Sequence, residues 1–177
     1  MASALKGMLV RYILLVLACV PFMQQLASSI ITKTTIHAVY SILSIFYSNT
    51  ALLASNTLFF GNGWYLTLIV ACTAPAAYGL LFILHMLTPL PKRQQWKALL
   101  FSLVVFFCLN LIRIFIFTTL YVKGSNYFEL GHQMVWYFGS TLLLVVIWFA
   151  TVYRYDIQTL PVYTDIHTLI TAIRKKR

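Results

Sequence analysis

The chain has 177 residues, 61% of them hydrophobic and 9% charged, with a formal net charge of +10. A soluble domain carries about a quarter charged residues, so this balance excludes an ordinary soluble globule and points to an integral membrane protein. The basic excess does not speak for nucleic acid. Lys6 and Arg11, then Lys92, Arg93 and Lys97, then Arg154 and Arg174 to Arg177 flank hydrophobic segments, as cytoplasmic loops do, and form no separate basic domain.

The length fits one domain of a few spans, taken as residues 1–177. A span needs roughly 20 mostly apolar residues. The first is expected from Tyr12 to about Ile31, with Pro21 as a kink. Pro21-Phe22-Met23-Gln24-Gln25 makes a poor cleavage region, so this stretch reads as a retained span and not as a signal peptide. From Thr34 to Ser48, Ile36, Val39, Tyr40, Leu43, Phe46 and Tyr47 keep helical spacing. His37, Ser41, Ser44 and Ser48 take the other face, which suggests an amphipathic helix lying in the outer interface.

Asn56 to Val70 reads differently. Two aromatic and β-branched runs flank Gly61-Asn62-Gly63, which is a hairpin signal. The second run leads to Cys72, and Pro75 suits the first turn of a helix running to about Leu87. In this reading the second span covers 73–87. If the helix begins near Tyr65 instead, Pro75 kinks it just past Cys72 and frees the carbonyl of Ala71. Further spans are expected over 98–121 and 132–153. In the tail, Ile166, Leu169, Ile170 and Ile173 resume helical spacing before four basic residues, as an inner-surface amphipathic helix would.

The expected fold is therefore an all-α integral membrane domain of about four transmembrane helices. An outer region (32–72) carries the amphipathic helix and a small β-hairpin, and a cytoplasmic tail covers 154–177. With both termini inside, Lys33 and Lys123 outside and Arg113 within the bilayer, ten of thirteen Lys and Arg are cytoplasmic. The positive-inside rule favours that topology, in the plasma membrane.

Depth then brings three residues together. Cys72 lies 16 residues before Thr88, and Arg113 lies 16 after Lys97. Each is therefore roughly 24 Å above the inner boundary, while His132 is roughly 33 Å above it. Tilt absorbs the difference of roughly 9 Å. An arginine inside a span costs several kcal/mol or more unless paired or wetted. Asn110, three residues earlier, suggests a polar face turned toward the bundle. A thiol, a fixed cation and an imidazole at one depth are the parts of a cysteine acyl-transfer site. Cys72 also stands at a strand-to-helix junction, where a helix amino terminus favours a thiolate. The three cysteines, Cys19, Cys72 and Cys108, have no CxxC spacing, so neither a disulfide framework nor a metal site is expected. No cofactor is expected either.

At these residues the chain resembles the exosortase and archaeosortase family of integral-membrane cysteine transpeptidases. The resemblance rests on Ala71-Cys72-Thr73-Ala74, on Asn110-Leu111-Ile112-Arg113-Ile114, and on His132 opening the next span. It covers roughly Thr57 to Tyr153. Thr-Ala after the cysteine looks more archaeal than the bacterial Ser-Gly, and His132 stands where the best-known archaeosortases have Arg. The resemblance implies catalytic roles for Cys72, Arg113 and His132, with Asn110 and Thr73 in support. It implies cleavage of carboxy-terminal sorting signals (a motif, a hydrophobic helix and a basic end) on exported proteins, and transfer of the new carboxyl end to a membrane lipid. Two other readings stand beside it. One is a non-catalytic membrane assembly subunit; the other is a lipid or ion carrier using Arg113 as an anion site.

Overall fold

The computed structural model describes residues 28–53, 56–61, 63–88 and 90–157, together with Ile13. Most of the first expected span, the tail helix and Asn62 of the expected hairpin lie outside these residues. In chain order the elements begin with helix α1 (Ser28–Phe46). Strands β1 (Ala51–Leu53), β2 (Thr57–Phe59) and β3 (Tyr65–Thr67) follow. Then come the single turn α2 (Val70–Thr73), α3 (Pro75–Leu87), the long α4 (Lys92–Val122) and α5 (Tyr127–Met134). A π-helical stretch over Val135–Gly139 joins α5 to α6 (Ser140–Arg154).

Three stretches, Ser28–Phe46, Val70–Leu87 and Lys92–Val122, are long and apolar enough to cross a membrane, and Ser140–Arg154 is a shorter apolar helix. The burial pattern of α4 supports a lipid surround. Its buried stripe, Ala98, Ser102, Phe106, Asn110, Ile114 and Thr118, recurs every four residues and carries three polar side chains. Leu100, Val104, Ile112 and Ile116 face outward and are about half exposed or more. Apolar outside and polar inside inverts the soluble amphipathic helix and suits a bilayer.

At 31 residues α4 is about 46 Å long, longer than a hydrocarbon core, and it is the axis of the bundle. The helices α1, α3, α5 and α6 all pack on it. One apolar cluster joins Ile36, Val39 and Leu43 of α1 to Leu58, Phe60, Leu68 and Ile114. A second gathers Tyr78, Leu81, Phe106 and Ile147 further along α4.

Two expectations need correction. The break expected between a span ending at Ile31 and an outer helix starting at Thr34 does not exist, because α1 runs without interruption from Ser28 to Phe46. Lys33 therefore stands inside a helix. The buried positions Thr32, Thr35, Ile36, Val39 and Leu43 form a single stripe across the supposed gap, and packing of that stripe on α4 carries the helix through it. The expected hairpin is one half of a three-stranded antiparallel meander in the order β1-β2-β3. Leu52 pairs with Leu58 and Leu58 with Leu66, so β2 is central, and Leu58 is fully buried. The sequence Ala51-Leu52-Leu53 is too short to show alternation, so β1 is defined only by its partner.

Candidate active site

The site is built on a break in the chain at Ala74. A residue before proline is disfavoured in the right-handed α region, because the ring clashes with its backbone. Ala74 accordingly turns left-handed (φ 51°, ψ 49°), and Pro75 opens α3. For alanine this conformation costs about 1 kcal/mol or more. The break severs α2 from α3 and leaves carbonyls that a continuous helix would have paired. The Ala71 carbonyl is not the one set free, since it accepts the Ala74 N–H at 3.2 Å. The carbonyl of Cys72 is taken by side chains instead. Arg113 Nη2 donates to it at 2.9 Å and Asn110 Nδ2 at 3.4 Å.

Arg113 is thus partnered inside a span-length helix by a carbonyl that the proline break supplied. Its Nη1 donates to Ser140 Oγ at 3.0 Å. The guanidinium has five N–H donors, so its two bonds among the described residues leave three for other acceptors. Ser140 is held in turn, donating to the Val135 carbonyl at 3.3 Å across the π-helical turn. That turn is crowded on its inner side. A Cβ at Gly139 would meet Val135 Cγ1 at 3.0 Å, so glycine there keeps the turn unstrained. Short π stretches are often found where a helix must present a functional side chain out of register.

Cys72, Arg113 and His132 line one cavity of about 200 Å³. Its walls come from β3 and the segment after it (Leu66 to Ile69), from Ile114, Phe117 and Thr118 of α4, and from Phe128 of α5. Cys72 is half-buried. The His132 ring stacks on Phe128 (centroids 5.5 Å apart, planes within 10°) and meets Phe117 edge-on at 5.5 Å. Phe117 is four residues beyond Arg113, about 6 Å along the axis. His132 therefore packs at the level of Phe117, about one helical turn beyond Arg113 along α4, and the cavity is lined by both levels.

The two supporting residues lie outside this cavity's lining. Asn110 is 1% exposed, behind Arg113, and its Oδ1 has no hydrogen-bond partner among the described residues. Thr73 points away from the cavity. Its hydroxyl is fully buried against α1, donating to the Val70 carbonyl at 2.7 Å and bonded to Thr32 Oγ1 at 2.9 Å. Thr73 therefore ties α2 to α1 and holds the turn that carries Cys72. Glu129 accepts from Gln133 Nε2 at 2.6 Å. Cys108 is exposed and Cys19 is outside the described residues.

Sequence reasoning missed Ser140. Its only signal is a Gly-Ser-Thr patch in an otherwise apolar run, facing a helix whose apolar stretch holds one arginine. Among the described residues no group of three or more His, Cys, Asp or Glu could hold a metal ion. No family model, no curated protein and no solved structure matches this chain.

Proposed function

We propose that this chain is a membrane cysteine transpeptidase of the exosortase and archaeosortase type, with Cys72 as nucleophile, Arg113 as electrostatic stabiliser and His132 as proton carrier. One observation carries the reading: a thiol, a guanidinium with unspent donors and an imidazole line a single cavity beside a proline-imposed break. In the four-crossing topology with both termini inside the plasma membrane, that cavity lies in the outer leaflet.

The chemistry follows from these groups. The Cys72 thiol gives its proton to His132, and the sulfur attacks the scissile carbonyl carbon of an exported protein near its carboxy-terminal membrane helix. Charge gathers on the carbonyl oxygen, where the free N–H donors of Arg113 stabilise it. His132 returns the proton to the leaving amine as the C–N bond breaks, which leaves a thioester on Cys72. A lipid headgroup amine or hydroxyl, or water, then loses a proton to His132, attacks the thioester and restores the thiol. Arg113 also has an orienting role, because its bond to the Cys72 carbonyl fixes the turn that carries the sulfur.

The test is coexpression with an exported protein bearing a short motif, a hydrophobic helix and a basic end. Cys72→Ala should abolish its processing while the variant accumulates and unfolds like the parent. Unchanged processing by that variant would discard the assignment and leave the non-catalytic membrane subunit as the better reading.

A further inference from the structure

The cavity beside Cys72 has a wall of unusual chemistry, the outer edge of β3. In the β1-β2-β3 meander, β3 has a partner on one side only. The register settles which of its backbone groups face out. Phe60 N–H donates to the Trp64 carbonyl at 2.9 Å, and Leu68 N–H donates to the Asn56 carbonyl at 3.1 Å. In an antiparallel ladder hydrogen-bonded pairs alternate with non-bonded ones. Trp64, Leu66 and Leu68 therefore turn their backbone groups toward β2, and Tyr65, Thr67 and Ile69 turn theirs toward the cavity side.

Two of these outward carbonyls are already used. Tyr65 accepts the hydroxyl of Tyr121 at 3.1 Å, and Ile69 accepts the N–H of Cys72 at 2.9 Å. Thr67 lies between them, and its outward N–H and C=O have no partner among the described residues. Thr67 lines the same cavity as Cys72, Arg113 and His132, opposite Ile114, Phe117 and Thr118 of α4. Exposed strand edges are normally blunted, because unpaired N–H and C=O groups recruit another strand. In an apolar cavity within a membrane protein the demand is greater, since water is scarce there.

We infer that the substrate binds by strand addition: an extended peptide segment pairs with Thr67 on the open edge of β3, and this pairing delivers the scissile carbonyl to Cys72. A lipid chain could fill the volume but could not satisfy a backbone N–H and C=O together. Main-chain pairing supplies affinity with little sequence demand, and side chains on alternate positions supply selectivity. The inference rests on the reading of Cys72 as a nucleophile toward peptides.

The purified full chain in detergent is offered acetyl-trialanine chloromethyl ketone, which alkylates the Cys72 sulfur with loss of chloride, and the mass of the Cys72-bearing fragment after digestion reports the rate apart from the exposed Cys108. 1-Chloro-2-butanone serves as the reagent without a peptide. A series of the peptide probe carries one backbone N-methyl group at each alanine in turn. Strand addition predicts that sensitivity to methylation alternates along the peptide, with the sensitive position or positions slowed about tenfold and their neighbours little changed, because alternate N–H groups face β3. Thr67→Pro removes the outward N–H at an edge where proline is tolerated. It should slow the peptide probe about fivefold and leave alkylation by 1-chloro-2-butanone unchanged. A methylation series without alternation overturns strand addition and stands on the parent protein even if Thr67→Pro does not fold. A peptide probe no faster than 1-chloro-2-butanone removes the peptide-directed reading of Cys72 itself, and strand addition with it. Faster labelling without alternation removes strand addition alone.

Discussion

Two polar clusters are built around α4, and they differ in what they leave unspent. One is the Cys72, Arg113 and His132 cavity. The other gathers His85 of α3, Ser102 of α4 and Thr151 of α6, each fully buried. Ser102 precedes Arg113 by 11 residues, about 16 Å along the helix. In the second cluster His85 Nδ1–H donates to the Leu81 carbonyl at 2.8 Å, and Ser102 Oγ lies 3.1 Å from Nε2 and 2.7 Å from Thr151 Oγ1. One proton arrangement satisfies the whole set: Ser102 donates to a neutral His85, and Thr151 donates to Ser102. Trp148 closes the ring's side at 5.2 Å, and Gln95 Nε2 covers the His85 carbonyl at 2.7 Å. Every polar atom there is spent on the chain, so this cluster is a clasp between three helices.

The cavity end is the reverse. Among the described residues Arg113 uses two of its donors, the edge of β3 keeps an open N–H and C=O at Thr67, and space remains beside them. Residue type alone does not separate the two, since each offers a histidine and hydroxyls. What separates a site from a clasp is hydrogen-bonding capacity left over beside a volume that a ligand can enter.

The sharpest way to break that contrast is Arg113→Lys. An ammonium cannot bridge the Cys72 carbonyl and Ser140 as the planar fork does. Processing of a coexpressed substrate should fall about 100-fold or more, and a loss below tenfold would put the catalytic weight elsewhere. His85→Leu probes the clasp. It removes the bond between Ser102 and the ring, leaves Ser102 and Thr151 to each other and to the Ala98 and Ile147 carbonyls, and should lower unfolding stability by about 1 kcal/mol. The check is a denaturation midpoint in micelles, with substrate processing within about twofold of the parent. If activity fell and stability held, the clasp would have to be counted as a site. Ser140→Ala should act least. Loss of one hydrogen bond to Arg113 is worth about 1 kcal/mol, or about fivefold in processing rate. Ser140→Thr should recover most of it, because the hydroxyl is retained; no recovery would mean that the π-helical turn, and not the bond, was disturbed.

Particular residues show how far the sequence could be read. The apolar helices over 73–87 and 98–121 were legible because each is a long apolar run with Pro75 or Lys92 and Arg93 at a boundary. The β2-β3 pairing was legible from Gly61-Asn62-Gly63 between two strand-like runs. Gly63 does take a positive φ of 86° there. The continuity of α1 through Lys33 was not legible. A charge followed by two threonines looks like a boundary locally, and only the stripe packed on α4 overrules it. The strand β1 is too short to show alternation, and the tie of the π-helical turn to the site through Ser140 and Arg113 joins residues 27 apart.

By itself the sequence determined the membrane character, the oneness of Arg113 within its span, and the break at Ala74, because transfer energies and proline sterics act on residues one at a time or on nearest neighbours. Tertiary structure alone decided that the Cys72 carbonyl would be Arg113's partner, that Thr73 would face α1, that Ser140 would hold the guanidinium, and that the edge of β3 would border the cavity. Those are meetings between segments tens of residues apart. Their geometry follows from helix packing and strand register, which no local pattern encodes.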